Sequence, residues 1–485
     1  MGDPLAEEDA GPALRLAAAE AERFLAALDG APAAPAGIDN AAASFATGQL
    51  PSEGTGALAA IGDLVERGLP GATRSAGGRF FHFVTGGGTP AALAADWLAS
   101  TIDQNSFSWV SSPLGSRAER VAVNWLKELF EIPAGWGGVL TTGATMANFT
   151  ALAAARRWWA AQHGVDVDQR GWAGLPQLPV LTSGYVHTSA IKALTMLGVG
   201  RDSVRRFSAD PAGALDLEGL ERALVQLGGQ PAVLIATAGE VNAGDFDPIS
   251  TMAEIAERNG AWLHVDGAFG LFARASSEAR ELAGGVEHAH SVIADGHKWL
   301  NVPYDCGFAF VRDASLMHGT FALTGAPYLP DGSEERPSFG DRGPEASRRA
   351  RALAVWATLK AYGRNGYRAM VDRHIRLARR VGSQVEAAAD LELLAPVRLN
   401  VICFRYRPPG YPDAALDDLN RRLGTRLLAD GRVYFGTTIY GGRVAFRPAI
   451  SNWRSGEEDV DLIVAVTREL GARLLDAGQD ARAGS

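Results

Sequence analysis

Between about Thr89 and Arg312, short apolar runs alternate with stretches of helical periodicity, and this alternation constrains the chain more than any other feature. "GGVLTTG" leads into "ATMANFTALAAARRWWAA", "LPVLTSG" into "HTSAIKALTML", and "AVLIATAG" into "PISTMAEIAERNG". Strands that are apolar throughout, each followed by a helix, belong to a parallel or mostly parallel sheet covered on both faces. The third unit is the clearest: Ala232 to Ala238 is a continuous strand, Pro248 and Ser250 open a helix, "RNG" closes it, and Ala261 to Val265 returns as the next parallel strand. The expected fold class is therefore α/β, with ligands gathering at the carboxyl edge of the sheet. Residues 1–88 read as an N-terminal arm carrying one helical stretch, and 89–350 as the large α/β domain. Beyond it, 351–485 reads as a smaller α+β domain, with a long helix, "ALAVWATLKAYG", before the strand-like "LNVICFRYR", "RVYFGTTI" and "RVAFRPAI".

The 485 residues carry a net charge of -9 and no basic cluster or basic-aromatic stripe, which argues against a nucleic-acid partner and towards small-molecule chemistry. No apolar run is long enough to span a bilayer, and "MGDPLAEEDAG" is acidic where a secretory signal is basic, so no membrane association and a cytoplasmic location are expected. Cys306 and Cys403 both sit in apolar runs, which suits neither a disulfide framework nor a cysteine metal site.

Four features fall at the ends of predicted strands. In "TTGATMANF" a strand gives way at once to a helix, whose free N–H groups, with the hydroxyls of Thr142 and Thr145, suit a phosphate; an ordinary capped helix would look the same. In "HVDGAFG", Asp266 ends an apolar strand, where a buried carboxylate calls for a cationic partner, and Gly267 and Ala268 leave room for a flat ring. In "SVIADGHKWLN", Lys298 follows the next strand; a desolvated lysine amine can attack a carbonyl, although a lone lysine more commonly packs its stem and sends its head to water. In "SGYVHTSAIKAL", His187 precedes a helix, placed to stack on a ring, relay a proton or simply cap. His288 and His290 have no third ligand at sensible spacing, so no metal is expected, and "TGGG" at Thr85 to Gly88 reads as a turn. A phosphate cradle, a stacking histidine, a buried carboxylate and an imine-forming lysine on one α/β sheet describe a site for pyridoxal 5'-phosphate.

From about Gly78 onwards, and above all in "HVDGAFG" and "HKWLNVPYDCG", the chain resembles the group II pyridoxal-phosphate-dependent amino-acid decarboxylases, the family of aromatic-L-amino-acid and glutamate decarboxylases. The resemblance implies the type I fold of aspartate aminotransferase and a homodimer with sites at the subunit interface. It implies that Lys298 holds the cofactor as a Schiff base, Asp266 pairs with the pyridine nitrogen, His187 stacks on one ring face and Ala268 touches the other. Ala144, Thr145 and His297 would lie at the phosphate, with Phe81, Phe107 and Phe339 at the substrate pocket. The implied activity is decarboxylation of an L-amino acid, and the aromatics around "RFFHFV" favour an aromatic substrate, while Arg79 or an arginine of the partner subunit would suit an acidic one.

Three departures from the family pattern stand out. The phosphate turn reads Thr145, Met146, Ala147, Asn148 rather than ending in Glu-Ala. Glu240 and Asn242 fall where many relatives carry threonines. Phe339 matches the loop tyrosine thought to protonate the substrate carbon, leaving Tyr328 or His187 as other donors. Some relatives with phenylalanine there form an aldehyde by oxygen-dependent deamination. An oxidative deaminase or aminotransferase is therefore the alternative enzyme, and a silent dimeric scaffold the non-enzymatic one.

Overall fold

The computed structural model describes residues 9–45, 48–323 and 332–483. A seven-stranded sheet forms from β1 (Gly137–Thr141), β2 (Val180–Ser183), β3 (Val204–Phe207), β4 (Val233–Thr237), β5 (Trp262–Asp266), β6 (Ser291–Asp295) and β7 (Gly307–Val311), in the order β1-β7-β6-β5-β4-β2-β3. The β2, β3, β4, β5 and β6 pairings are parallel, and β7 runs antiparallel to both neighbours. Every residue of β4, β5 and β6 is buried, as a sheet covered by helices on both faces requires. The α/β reading is thus met, with one antiparallel strand inserted at the position that brings β1 beside the active edge.

A second, four-stranded antiparallel sheet, β8 (Leu391–Leu393), β9 (Phe404–Tyr406), β10 (Thr437–Tyr440) and β11 (Arg443–Phe446), runs in the order β10-β11-β9-β8. The helix Ala352–Ala387 joins the two sheets, and its backbone breaks at Gly363, whose φ of 59° favours a residue without a side chain. Val355, Val371 and Ile375 enter the core around the large sheet; Val381 and Val385 enter that of the small one.

Two expectations change here. "RVYF" does not form a strand of the small sheet, because Tyr434 pairs instead with the segment around Phe80: Phe81 N–H donates to Tyr434 O at 2.8 Å, and the rings of Phe80 and Tyr434 stack at 5.1 Å. Phe81, expected at the substrate pocket, lies in the core of the small sheet with Phe404 and Phe446 and is 1% exposed. In extended backbone, neighbours point to opposite sides, and pairing with Tyr434 turns Phe81 towards that core. Among the described residues, no helix is long and apolar enough to cross a membrane.

Candidate active site

Asp266 and Asp295 are the last residues of adjacent strands, and Thr237, at the end of β4, pairs with Asp266 in register. Because β7 threads between β6 and β1, the end of β1 comes level with Asp295: Gly307 pairs with both Thr141 and Asp295. The turn after β1 then opens the helix Ala144–Gln162 directly beside the Lys298 turn. Gly143 makes this approach possible, since its φ is 136° and a Cβ there would stand 3.0 Å from His297 Cε1. Ala144 N–H donates to Asp295 Oδ1 at 2.5 Å, while the N–H groups of Thr145 and Met146 open the helix without intrahelical acceptors.

Lys298 Nζ lies 3.2 Å from Asp295 Oδ2 and 5.9 Å from the centre of the Phe269 ring. His297 Nδ1 accepts from Cys306 N–H at 3.2 Å, so its ring proton sits on Nε2, which lies 3.5 Å from Asp295 Oδ1. Burial, above all, holds the His297 pKa below its ordinary value, with Lys298 adding to the effect. Its ring stacks on Tyr304 at 4.1 Å. Asp266, 3% exposed, accepts from Asn148 Nδ2 at 3.0 Å and Ala268 N–H at 3.2 Å. Among the described residues it makes no ion pair.

His187 caps the helix Thr188–Met196: its Nδ1 accepts from Ser189 N–H at 3.2 Å and meets Ser189 Oγ at 2.7 Å. The ring proton is therefore on Nε2, and burial, ahead of the opposing influence of Asp266, lowers its pKa and keeps it neutral. The capping and cofactor-facing readings of His187 are thus not exclusive, because capping occupies only one nitrogen.

Glu240 turns back on its own loop, accepting from Ala243 N–H at 2.8 Å and from the Asn242 amide, and burial raises its pKa. Asn242 Oδ1 accepts from Thr438 Oγ at 2.5 Å, so this turn ties the large sheet to β10. Phe107 and Phe339 are both buried and held together: Phe339 and Gly340 N–H groups donate to Phe107 O at 3.0 Å each. The buried pair Arg348–Glu119, at 2.7 Å, anchors this unit to β1 through Leu140. No hydrogen bond or ring contact links the Phe107–Phe339 unit to Lys298 among the described residues. Tyr328 lies outside the described residues.

The residues fit pyridoxal phosphate. Asp266 is a buried carboxylate supplied only with neutral donors, which suits an incoming cation. Thr237 Oγ, beside it, is buried without a partner. The helix start at Thr145 offers free N–H groups to an anion. Sequence reasoning missed Asp295, although it stands in "SVIADGHKWLN", and Asn148, which registered only as a departure. It also passed over Thr85 to Gly88: Gly86 N–H donates to His297 O at 3.1 Å, and a Cβ on Gly86 would collide with Lys298 O, which only the contact itself reveals.

The family model described as the pyridoxal-dependent decarboxylase conserved domain matches residues 47–407. An L-2,4-diaminobutyrate decarboxylase of Rhizobium meliloti is 33% identical over 397 residues, 78% of this chain and 76% of that one. An aromatic-L-amino-acid decarboxylase of Bacillus atrophaeus is 29% identical over 388 residues, 79% and 78% of the two chains. The crystal structure of Oryza sativa TDC with PLP and tryptamine superposes with a TM-score of 0.88 at 26% identity, covering 98% of this chain and all of that one.

Proposed function

This chain belongs to the pyridoxal-dependent decarboxylases, PLP-dependent carboxy-lyases acting on amino acids, and from that premise we propose that it converts an aromatic L-amino acid to its amine and carbon dioxide as a homodimer. The observation that carries the assignment of roles is the pair of strand-end carboxylates, one held against Lys298 and the other left with neutral donors.

Lys298 is the residue that would hold the cofactor through its aldehyde, and Asp295 keeps the lysine amine at the strand end. Asp266 would take the cationic ring nitrogen, His187 and Ala268 would hold the ring between them, and Ala144, Thr145 and His297 would hold the phosphate. When bound, the cofactor supplies an electron sink for the pair released as the carboxylate leaves. An adjacent opposite charge typically moves a pKa by about 1 to 3 units, and through it Asp266 would keep the ring nitrogen protonated. His187 Nε2–H is the neutral donor that the cleft presents to a substrate carboxylate.

An aromatic side chain is favoured because, among the described residues, Glu240 is spent on its own turn and Asp295 on Lys298, which leaves neither to receive the second ammonium of a diamino acid. A further charge is the half-buried Arg447, which adds to burial in lowering the pKa of both His82 and His187. The dimer is supported by the exposed apolar surface of Trp97, Leu98 and Ile102 on one helix, with Val110, Leu114 and Trp356. In such a dimer the Phe107–Phe339 unit of one subunit is available to line the site of the other.

Phe339 supports a second reading, in which oxygen and water convert the amino acid to aldehyde, carbon dioxide, ammonia and hydrogen peroxide. The test is incubation of PLP-loaded protein with the twenty amino acids and 2,4-diaminobutyrate, with mass spectrometry of products and an oxygen electrode. An aromatic amine without oxygen uptake is expected. Aldehyde with peroxide replaces the decarboxylase by the oxidative reading, which Phe339→Tyr should then reverse towards amine; 1,3-diaminopropane as product overturns the aromatic assignment.

A further inference from the structure

A line of buried side chains runs behind the cleft and ends on Asp266. Trp262 Nε1 donates to Ser291 Oγ at 2.9 Å, Ser291 Oγ meets His264 Nδ1 at 2.8 Å, His264 Nε2 meets Asn148 Oδ1 at 2.7 Å, and Asn148 Nδ2 reaches Asp266 Oδ2 at 3.0 Å. Chemistry fixes the direction of every step. An ionised carboxylate only accepts, so the amide presents nitrogen to Asp266 and oxygen to His264. His264 must then carry its proton on Nε2; being wholly buried, it has its pKa pushed down to about 4 and has no second proton, so its Nδ1 accepts from Ser291. The serine lone pair is left to take the indole N–H. All four donors point the same way, towards the carboxylate.

The Asn148 amide also has a second arm. Its nitrogen lies 3.4 Å from Ser189 Oγ, and that serine holds His187 Nδ1. One side chain thus touches both the carboxylate placed at the ring nitrogen and the residue that orients the ring-facing histidine. Asn148, Ser291 and His264 are each fully buried, where an apolar line of equal shape would serve packing at least as well.

We propose that Asn148 is a positioning residue that fixes Asp266 and His187 together, and that His264, Ser291 and Trp262 form the polarised line that sets its amide. This rests on the cofactor roles proposed above. A donor aimed at the ionised carboxylate stabilises it as an anion, so the shared proton stays on the ring nitrogen instead of passing to Asp266. Donors relayed in one direction strengthen one another, so the effect on Asp266 should fade along the line from Asn148 to Ser291.

The test compares wild type, Asn148→Leu and Ser291→Ala. Wild type loaded with PLP must show the visible absorption of a lysine-bound cofactor that borohydride fixes; if it does not, the cofactor roles fall and this inference falls with them. In loaded N148L, kcat should drop roughly 10- to 100-fold, the usual scale for groups supporting a reacting one, with KM changed by less than about twofold. The pH midpoint of its visible absorption should rise by at least about half a unit, because a less cationic ring repels the proton on the Lys298 nitrogen less. S291A should move both quantities in the same direction by less. A loss confined to thermal stability, with the midpoint and kcat unmoved, overturns the proposal. Should N148L fail to fold, nitrogen-15 shifts of wild-type histidines without cofactor decide: a neutral His264 protonated on Nε2 at pH 7 supports the line, and any other state overturns it.

Discussion

Asp266 and Asp295 end neighbouring strands in similar sequence, "HVDG" and "IADG", and both are 3% exposed, yet the fold gives them opposite company. Asp295 is surrounded by its own chain's donors, the Lys298 ammonium at 3.2 Å, the neutral His297 ring at 3.5 Å and the first N–H of a helix, that of Ala144, at 2.5 Å. Asp266 receives only an amide and a backbone N–H. A buried carboxylate without a cation is costly, so the strand that lacks an internal partner is the one proposed to receive an external cation. Burial alone therefore does not identify a functional carboxylate; what surrounds it does.

Four changes would break or sharpen that contrast. The largest effect belongs to Lys298→Ala, which should abolish both turnover and the borohydride-fixed adduct detected by mass spectrometry, while leaving the fold intact by circular dichroism. Next, Asp266→Asn should retain cofactor absorption but lower kcat roughly 10- to 1000-fold, the range spanned by 1 to 3 pKa units. A kcat within a factor of two of wild type would show that Asp266 has no cation to stabilise.

The third concerns the group behind Asp266. His264 is neutral in the fold, its pKa depressed from 6.5 to about 4, so the unfolded chain binds this proton more readily than the native one. Its contribution is complete above pH 6.5 and is lost as pH falls towards 4, amounting to about 3 kcal/mol if the full shift is realised. Urea unfolding at pH 7 and pH 4.5 measures it, and His264→Gln should reduce the stability difference between the two pH values. Equal pH dependence in the two proteins would mean that His264 is not held neutral. Smallest is Asp295→Asn, which removes a negative charge from beside the helix start proposed to hold the phosphate: cofactor affinity, followed by absorption titration, should tighten by up to roughly tenfold with kcat little changed. A weaker affinity would make Asp295 a holder of the site instead of a counter-ion to Lys298.

Much of the large domain was legible because its strands are buried on both faces and its helices carry their own start and stop signals; β4, the helix after it and β5 came directly from "AVLIATAG", "PISTMAEIAERNG" and "AWLHVDG". The polar residues at the strand ends were legible for the same reason, since a polar residue that interrupts an apolar run, such as Asp266 or Lys298, advertises itself. "RVYF" misled because its pairing partner lies far away in sequence at Phe80 and Phe81. The partner of Lys298 was hidden in plain view: nothing local distinguishes Asp295 as its counter-ion from Asp266 as a site left open.

The sequence by itself determined the alternation of strand and helix, and it placed Lys298, Asp266 and His187 at the carboxyl edge of the sheet as the candidates for its chemistry, because periodicity and burial are local properties of the chain. Only the tertiary structure decided that Asn148 reaches Asp266, that Asp295 neutralises Lys298, that Phe81 belongs to the second core and that Gly86 lies against the lysine turn. Those facts depend on which distant segments meet, and hydrogen bonds act over about 3 Å in space regardless of the separation along the chain.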